Sequence, residues 1–230
     1  MKESSCASCP FQDSDRICRS KDPAHARYPE GCPTVCRSET IEKSKAAYNS
    51  DPAVRQFALN AARQEGSCYL PGPNPRGPSP QAFKPRVQET AEFCLRMGYR
   101  KIGLAFCGAV HHEGATLQKI LTAYGLDVVS VMCKNGGIPK EHLGITEEEK
   151  NCPGRYEVMC NPIGQAMILN EAGTEFNLVL GLCVGHDSLF MKYSDALCTV
   201  VAAKDRVLGH NPMSALWADN YKRYLLKGGK

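Results

Sequence analysis

Residues 177–187 read Asn-Leu-Val-Leu-Gly-Leu-Cys-Val-Gly-His-Asp. The first four form an apolar run of the kind that makes a buried strand. A cysteine, two glycines, a histidine and an aspartate then follow within Gly181–Asp187. A strand that ends this way ends in a site rather than in a simple turn. The pattern recurs upstream, where Ile102–Cys107 (IGLAFC) and Val128–Cys133 (VVSVMC) are apolar runs that each close on a cysteine. Residues 113–124 read as a helix stopped by Gly125, and residues 162–172 as a helix with Pro162 at its first position. Tyr156–Cys160 reads as a short strand, Leu197–Ala203 as a further one, and residues 212–226 as a last helix. Strands alternating with helices of this length predict an α/β fold. The expected form is a doubly wound, mostly parallel sheet with helices on both faces, as in three-layer Rossmann- or flavodoxin-like proteins.

Upstream of this pattern, residues 86–97 form a helix with Val87, Ala91, Cys94 and Leu95 inward, ending at Gly98. Residues 71–85 carry six prolines and two glycines and read as an extended linker. Ser38 can cap a helix over 39–49, and Asp51-Pro52 opens another that ends before Gly66. Residues 1–37 are irregular, cysteine-rich and poor in large apolar residues. The expected organisation is therefore a cysteine-rich module plus two helices over 1–70, a linker over 71–85 and an α/β domain over 86–230.

The formal net charge of +4 is mild, and no basic stripe interleaves with aromatic residues, so nucleic acid is not an expected partner. No apolar run approaches the roughly 20 residues that span a bilayer, which predicts no membrane span. The N-terminal residues lack the apolar core of a secretory signal, and the expected compartment is the cytoplasm. Thirteen cysteines among 230 residues need a chemical reason. An odd number of thiols in a reducing compartment argues against a disulfide framework and for metal or cluster ligation. Cys94 and Cys198 instead suit the role of small buried hydrophobes.

Cys107, Cys133 and Cys183 fall at strand ends, and Cys160 sits just before a helix in the equivalent position. Ligand sites of open parallel sheets lie off the carboxyl edge of the strands, so four thiols would converge there from four loops. Four thiolates suit zinc or an iron–sulfur cluster. A sheet-edge position is where electron transfer and catalysis occur, which favours a cluster, as 4Fe-4S. Lys134, Asn161, Gly185 and Arg206 are candidates for holding that group or an anionic substrate. His186, Asp187, Lys204 and His210 are candidates for catalysis, the histidines because they exchange protons near neutral pH. A second set, Cys6, Cys9, Cys18 and Cys32, contains one CxxC pair and reads as another metal site, with zinc the alternative there above all. No GxGxxG, GxxxxGK[ST], HExxH or GxSxG pattern is present, so nucleotide binding and serine hydrolysis have no support.

Taken together, these residues resemble an uncharacterised prokaryotic family of cysteine-rich metal-binding proteins. The set is Cys6, Cys9, Cys18 and Cys32-Pro33, then Phe106-Cys107, Cys133-Lys134, Cys160-Asn161-Pro162, GLCVGHD, Lys204-Asp205-Arg206 and His210-Asn211-Pro212. The resemblance spans nearly the whole chain. It implies metal binding through the eight cysteines named above, leaves Cys36, Cys68, Cys94, Cys152 and Cys198 peripheral, and supplies no reaction. The expectation is an iron–sulfur protein with a redox role, working with a redox partner protein or a small anionic substrate. As an enzyme it would be an iron–sulfur oxidoreductase. The competing expectations are a zinc-binding protein without turnover and a non-redox metalloenzyme acting on a small anion.

Overall fold

The computed structural model describes residues 3–72, 74, 77 and 79–230. By its internal contacts the chain divides into two compact units, Met1–Arg63 and Gln64–Lys230. In the first unit, short 3-10 turns at Cys6–Ser8 and Pro23–His25 precede helices α1 (Pro33–Cys36), α2 (Ser38–Ser50) and α3 (Pro52–Gly66), the last running into the second unit. The Asp51 carboxylate accepts from the Ala53 amide at 2.8 Å, as expected of an N-cap ahead of Pro52. Among the described residues of this unit only Gly31 and Asn60 are buried. The unit therefore has no apolar core, as the composition of residues 1–37 predicts.

The second unit is the α/β domain. Its elements are α4 (Arg86–Met97), β1 (Lys101–Phe106), α5 (His111–Ala123), β2 (Asp127–Met132), α6 (Pro162–Glu171), β3 (Phe176–Leu180), α7 (His186–Tyr193), β4 (Cys198–Ala202), α8 (Ser214–Trp217) and α9 (Asp219–Leu226). The four strands form one sheet in the order β2-β1-β3-β4, parallel throughout. The chain leaves β1 toward β2 on one side and returns past it to β3 and β4 on the other. Right-handed crossovers then put α5 on one face and α6 and α7 on the opposite face. Accordingly α5 packs on β1 and β2, α6 packs on the same strands from the other side and against α7, and α4 packs on β4. Ile102, Leu104 and Leu178 in the central strands, with Leu121, Leu169 and Phe190 from the helices, are fully buried and make the core.

Two local expectations change. Tyr156–Cys160 is not a strand of the sheet, because Val158 makes a single antiparallel bridge with Pro139 and so pairs with the preceding loop. The final helix is two, because Ala218 is extended between α8 and α9. The proline-rich stretch 71–85 lies partly outside the described residues. Its flanks pair with each other, Leu70 N donating to Gln81 O at 2.9 Å and Phe83 N to Cys68 O at 3.0 Å. The division between the units falls earlier, inside α3.

Just beyond that stretch, Lys84 donates to Glu92 of α4 at 2.6 Å. Gln64 and Gln88 donate to the same carboxylate at 3.0 and 2.9 Å. The Lys84 hydrogen bond, aided by the two amides, holds the Glu92 carboxyl at about 2, against an ordinary 4.5. A carboxyl depressed on folding stabilises the native state above its unfolded pKa, and the stabilisation disappears as pH falls through the folded one. Urea unfolding should therefore show stability falling between pH 4.5 and about 2, and Glu92→Gln should flatten that fall.

A candidate four-thiol site at the sheet edge

β1 and β2 each stop one residue before a cysteine. The ladder nonetheless reaches those cysteines, since Cys107 N donates to Leu180 O at 3.1 Å and Cys133 N to Phe106 O at 2.9 Å. β3 ends three residues before Cys183, and Cys160 immediately precedes Asn161, the N-cap of α6. The chain reverses its direction of winding at β1 and β3, so the crevice opens between the segments that carry Cys107 and Cys183. Cys107, Cys133, Cys160 and Cys183 all line one cavity of about 620 Å3 off this edge.

Side-chain amides keep the segments of Cys107, Cys133 and Cys160 in register. Gln165 of α6 donates through Nε2 to Val131 O at 2.6 Å and to Phe106 O at 3.2 Å, just ahead of Cys133 and Cys107. Asn161 N donates to Cys133 O at 2.7 Å. Asn135 Nδ2 donates to Met132 O and to Asn161 O, each at 3.0 Å. The Asn161 amide donates to Asn135 Oδ1 at 3.0 Å and accepts from Gly164 N at 2.9 Å. A Cβ on Gly164 would lie 2.4 Å from both of these side chains, so the helix is bare there to admit the amide pair.

The thiols are electrostatically unequal. Sγ of Cys160 lies 3.9 Å from Sγ of Cys133. Their shared hydrogen bond, with Lys134 and His186 nearby, pulls Cys160 down to about 5. The same bond and burial push the Cys133 thiol up. Gly108 N donates to Cys133 Sγ at 3.4 Å, and Arg206 donates to Cys183 Sγ at 3.0 Å. Burial raises the Cys94 thiol to about 12, as suits a core position.

Of the polar candidates, Lys134, Arg206 and His186 line the cavity. Lys134 also donates to Val158 O. The others are not among the lining residues. Asn161 is a cap, and Gly185 takes φ +83° just ahead of α7. Asp187 accepts from Ser188 N at 2.8 Å within its own helix turn. Lys204 lies beside Gly181, its Nζ 3.8 Å from where a Cβ would stand. Nδ1 of His210 accepts from Asp205 N at 3.1 Å, which leaves the ring proton on Nε2 and clasps the loop that carries Arg206.

Lys140, Leu143, Ile145, Glu149 and Asn151 also line the cavity, and no site motif marked them. They belong to residues 134–155, a polar stretch between β2 and α6 that is too long for a simple connection, and that length is the available signal. That excursion is cross-braced. The buried Lys150 ammonium bridges Glu141 at 2.5 Å and Glu147 at 2.7 Å, and Lys140 pairs with Glu157. Met159 N donates to Ile138 O at 2.8 Å.

In the first unit Cys6, Cys9, Cys18 and Cys32 line one cavity of about 330 Å3, together with Arg16, Glu3 and Glu30. Cys36 is exposed and does not line it. Among the described residues no three His, Cys, Asp or Glu groups converge closely enough, as they stand, to hold a single metal ion. No described helix is long and apolar enough to cross a membrane.

Fold and site together define a parallel α/β protein with thiols gathered at the strand ends. More particularly, residues 32–201 match the model of the family described as protein of unknown function (DUF1847), and the chain belongs to that family. It is also 48% identical over 193 residues to the uncharacterized protein MJ0455 of Methanocaldococcus jannaschii, a match covering 84% of this chain and 91% of the relative. The family match contains all four sheet-edge cysteines and begins at Cys32, after Cys6, Cys9 and Cys18.

The tight fit at Gly164 makes a test of the amide network. Gly164→Ala should cost about 1–3 kcal/mol, as overpacking against fixed neighbours does. Urea unfolding measures that loss, and hydrogen exchange should show faster opening at Cys133 and Asn161.

Proposed function

We propose that this chain is a metal-binding protein with a redox role, carrying an iron–sulfur cluster on Cys107, Cys133, Cys160 and Cys183. The observation that carries the reading is that four thiols from four separate loops open on one cavity at the sheet's switch point. The donor set is soft and sulfur-only, as iron–sulfur clusters and zinc both prefer. Thiols that line a cavity without meeting at a point fit a multi-iron group, which spans that space, better than a single ion. Bound there, a 4Fe-4S cluster would supply one-electron transfer. Arg206, donating to the Cys183 sulfur, and Lys134, beside Cys160, would stabilise added negative charge and favour the reduced state. His186 could exchange a proton with whatever enters the cavity. Turnover would make the chain an iron–sulfur oxidoreductase; otherwise it would pass electrons to a redox partner protein. Its free thiols fit a reducing cytoplasm.

Cys6, Cys9, Cys18 and Cys32 would hold a second centre, iron–sulfur or zinc. A unit without buried apolar side chains gains little from burial, and a metal is the usual substitute. The second reading of the edge site is zinc without turnover. It is favoured by the 3.9 Å Cys133–Cys160 separation, since tetrahedral Zn–S bonds of about 2.3 Å put sulfurs about 3.8 Å apart. A non-redox variant would use Lys134, Lys140 and Arg206 to seat a small anionic substrate beside the metal.

Anaerobic purification followed by a visible spectrum and iron, sulfide and zinc analysis decides between these readings. The expected result is a brown protein that loses the edge-site iron and sulfide on Cys183→Ser or Cys107→Ser but keeps its fold. A colourless protein carrying only zinc would sink the cluster reading. Cys9→Ser should remove the other centre and unfold residues 3–63 locally, which circular dichroism and limited proteolysis would register.

A further inference from the structure

Among the thirteen cysteines, all free, Cys133 and Cys160 are the pair whose sulfurs are in contact, at 3.9 Å. Their backbones are tied side by side by Asn161 N donating to Cys133 O at 2.7 Å and by Asn135 Nδ2 donating to Asn161 O at 3.0 Å. Forming a disulfide needs the sulfurs to close from 3.9 Å to roughly 2 Å, between segments that these hydrogen bonds already hold together. Access differs between the two: Cys160 is partly exposed, and Cys133 is buried at 2% exposure.

We propose that Cys133 and Cys160 form a thiol–disulfide exchange site whose reactant is a small-molecule disulfide. The Cys160 thiolate attacks one sulfur of R–S–S–R, a mixed disulfide forms, and one RS⁻ leaves. Cys133 gives up its proton to that thiolate, and its sulfur then attacks the Cys160 sulfur and expels the second RS⁻. The second RS⁻ takes from water the proton that Cys160 released on ionising, so two protein thiols are oxidised to one disulfide while R–S–S–R is reduced to two RSH. Attack order follows access, since the incoming disulfide meets Cys160 first and Cys133 resolves the adduct. If these sulfurs are also metal ligands, as proposed above, the disulfide and the metal exclude each other, and oxidation would lock the edge site empty. The exchange itself rests on the sulfur pair alone.

The test uses the full chain, stripped of metal with chelator and dithiothreitol, desalted anaerobically and exposed to oxidised glutathione. Peptide mapping by mass spectrometry should find the Cys133–Cys160 cross-link before any other. Cys133→Ser should lose the cross-link and accumulate a glutathione adduct on Cys160, whereas Cys36→Ser, at an exposed thiol outside both cavities, should leave the cross-link intact. Glutathione remaining on Cys160 of the unsubstituted chain, or cross-links scattered among other cysteines at equal rate, would overturn the proposal. Metal analysis of the untreated protein keeps the two readings apart. A cross-link forming in a chain that never takes up metal supports the exchange and defeats the metal reading. A chain that binds metal through these thiols yet forms no cross-link when stripped does the reverse.

Discussion

The Gln165 side chain holds the ends of β1 and β2 at the point where they release their cysteines. A fully buried amide donating to Phe106 O and Val131 O bridges two strands from the helix beneath them. The same helix begins just after Cys160 and is capped by Asn161, whose backbone donates to Cys133 O. Three of the four edge thiols are thereby referenced to one short stretch of α6. A buried amide without these acceptors would cost about 1–3 kcal/mol, so the strand ends and the helix are bound to one arrangement. Cys183 joins from the neighbouring strand, positioned by the parallel ladder rather than by side chains.

The two thiol groups stand on opposite physical footings. The sheet-edge set projects from a packed core of Ile102, Leu104, Leu178 and Leu169, so its loops are aligned whatever fills the cavity. The N-terminal set lines its cavity in a unit whose described side chains bury almost nothing. Preorganisation suits a centre that must react repeatedly with little rearrangement. Ligand-dependent order suits a centre whose task is to hold a short segment together.

How much of this the sequence reveals depends on the kind of interaction. The strand run ending in Cys107 is visible because burial on both faces of a parallel sheet leaves an unbroken apolar run, whereas the half-exposed edge strand before Cys133 shows a polar break at Ser130. The stop at Gly98 is equally visible, because that residue takes φ +80°. The backbone hydrogen bonds of Asp187, Asn161 and His210 are not, because a polar residue in a loop or at a helix start looks the same whether it bonds the backbone or faces a ligand. Nor does anything local mark Lys140, Leu143 or Asn151 as cavity residues. They line the cavity on a stretch that Lys150, Lys140 and their carboxylate partners brace across residues 140–157.

Composition and periodicity alone determined the α/β class, the alternation of elements and the placing of Cys107 and Cys133 directly after strands. Each of these follows from chain-local rules: period, cap and breaker. Tertiary structure alone decided the order β2-β1-β3-β4, which sulfurs touch and which basic side chains face them. Those depend on contacts between residues distant in the chain. There, a pairing such as Cys133 with Cys160 is set by Gln165, Asn135 and Asn161 rather than by anything in either cysteine's own segment.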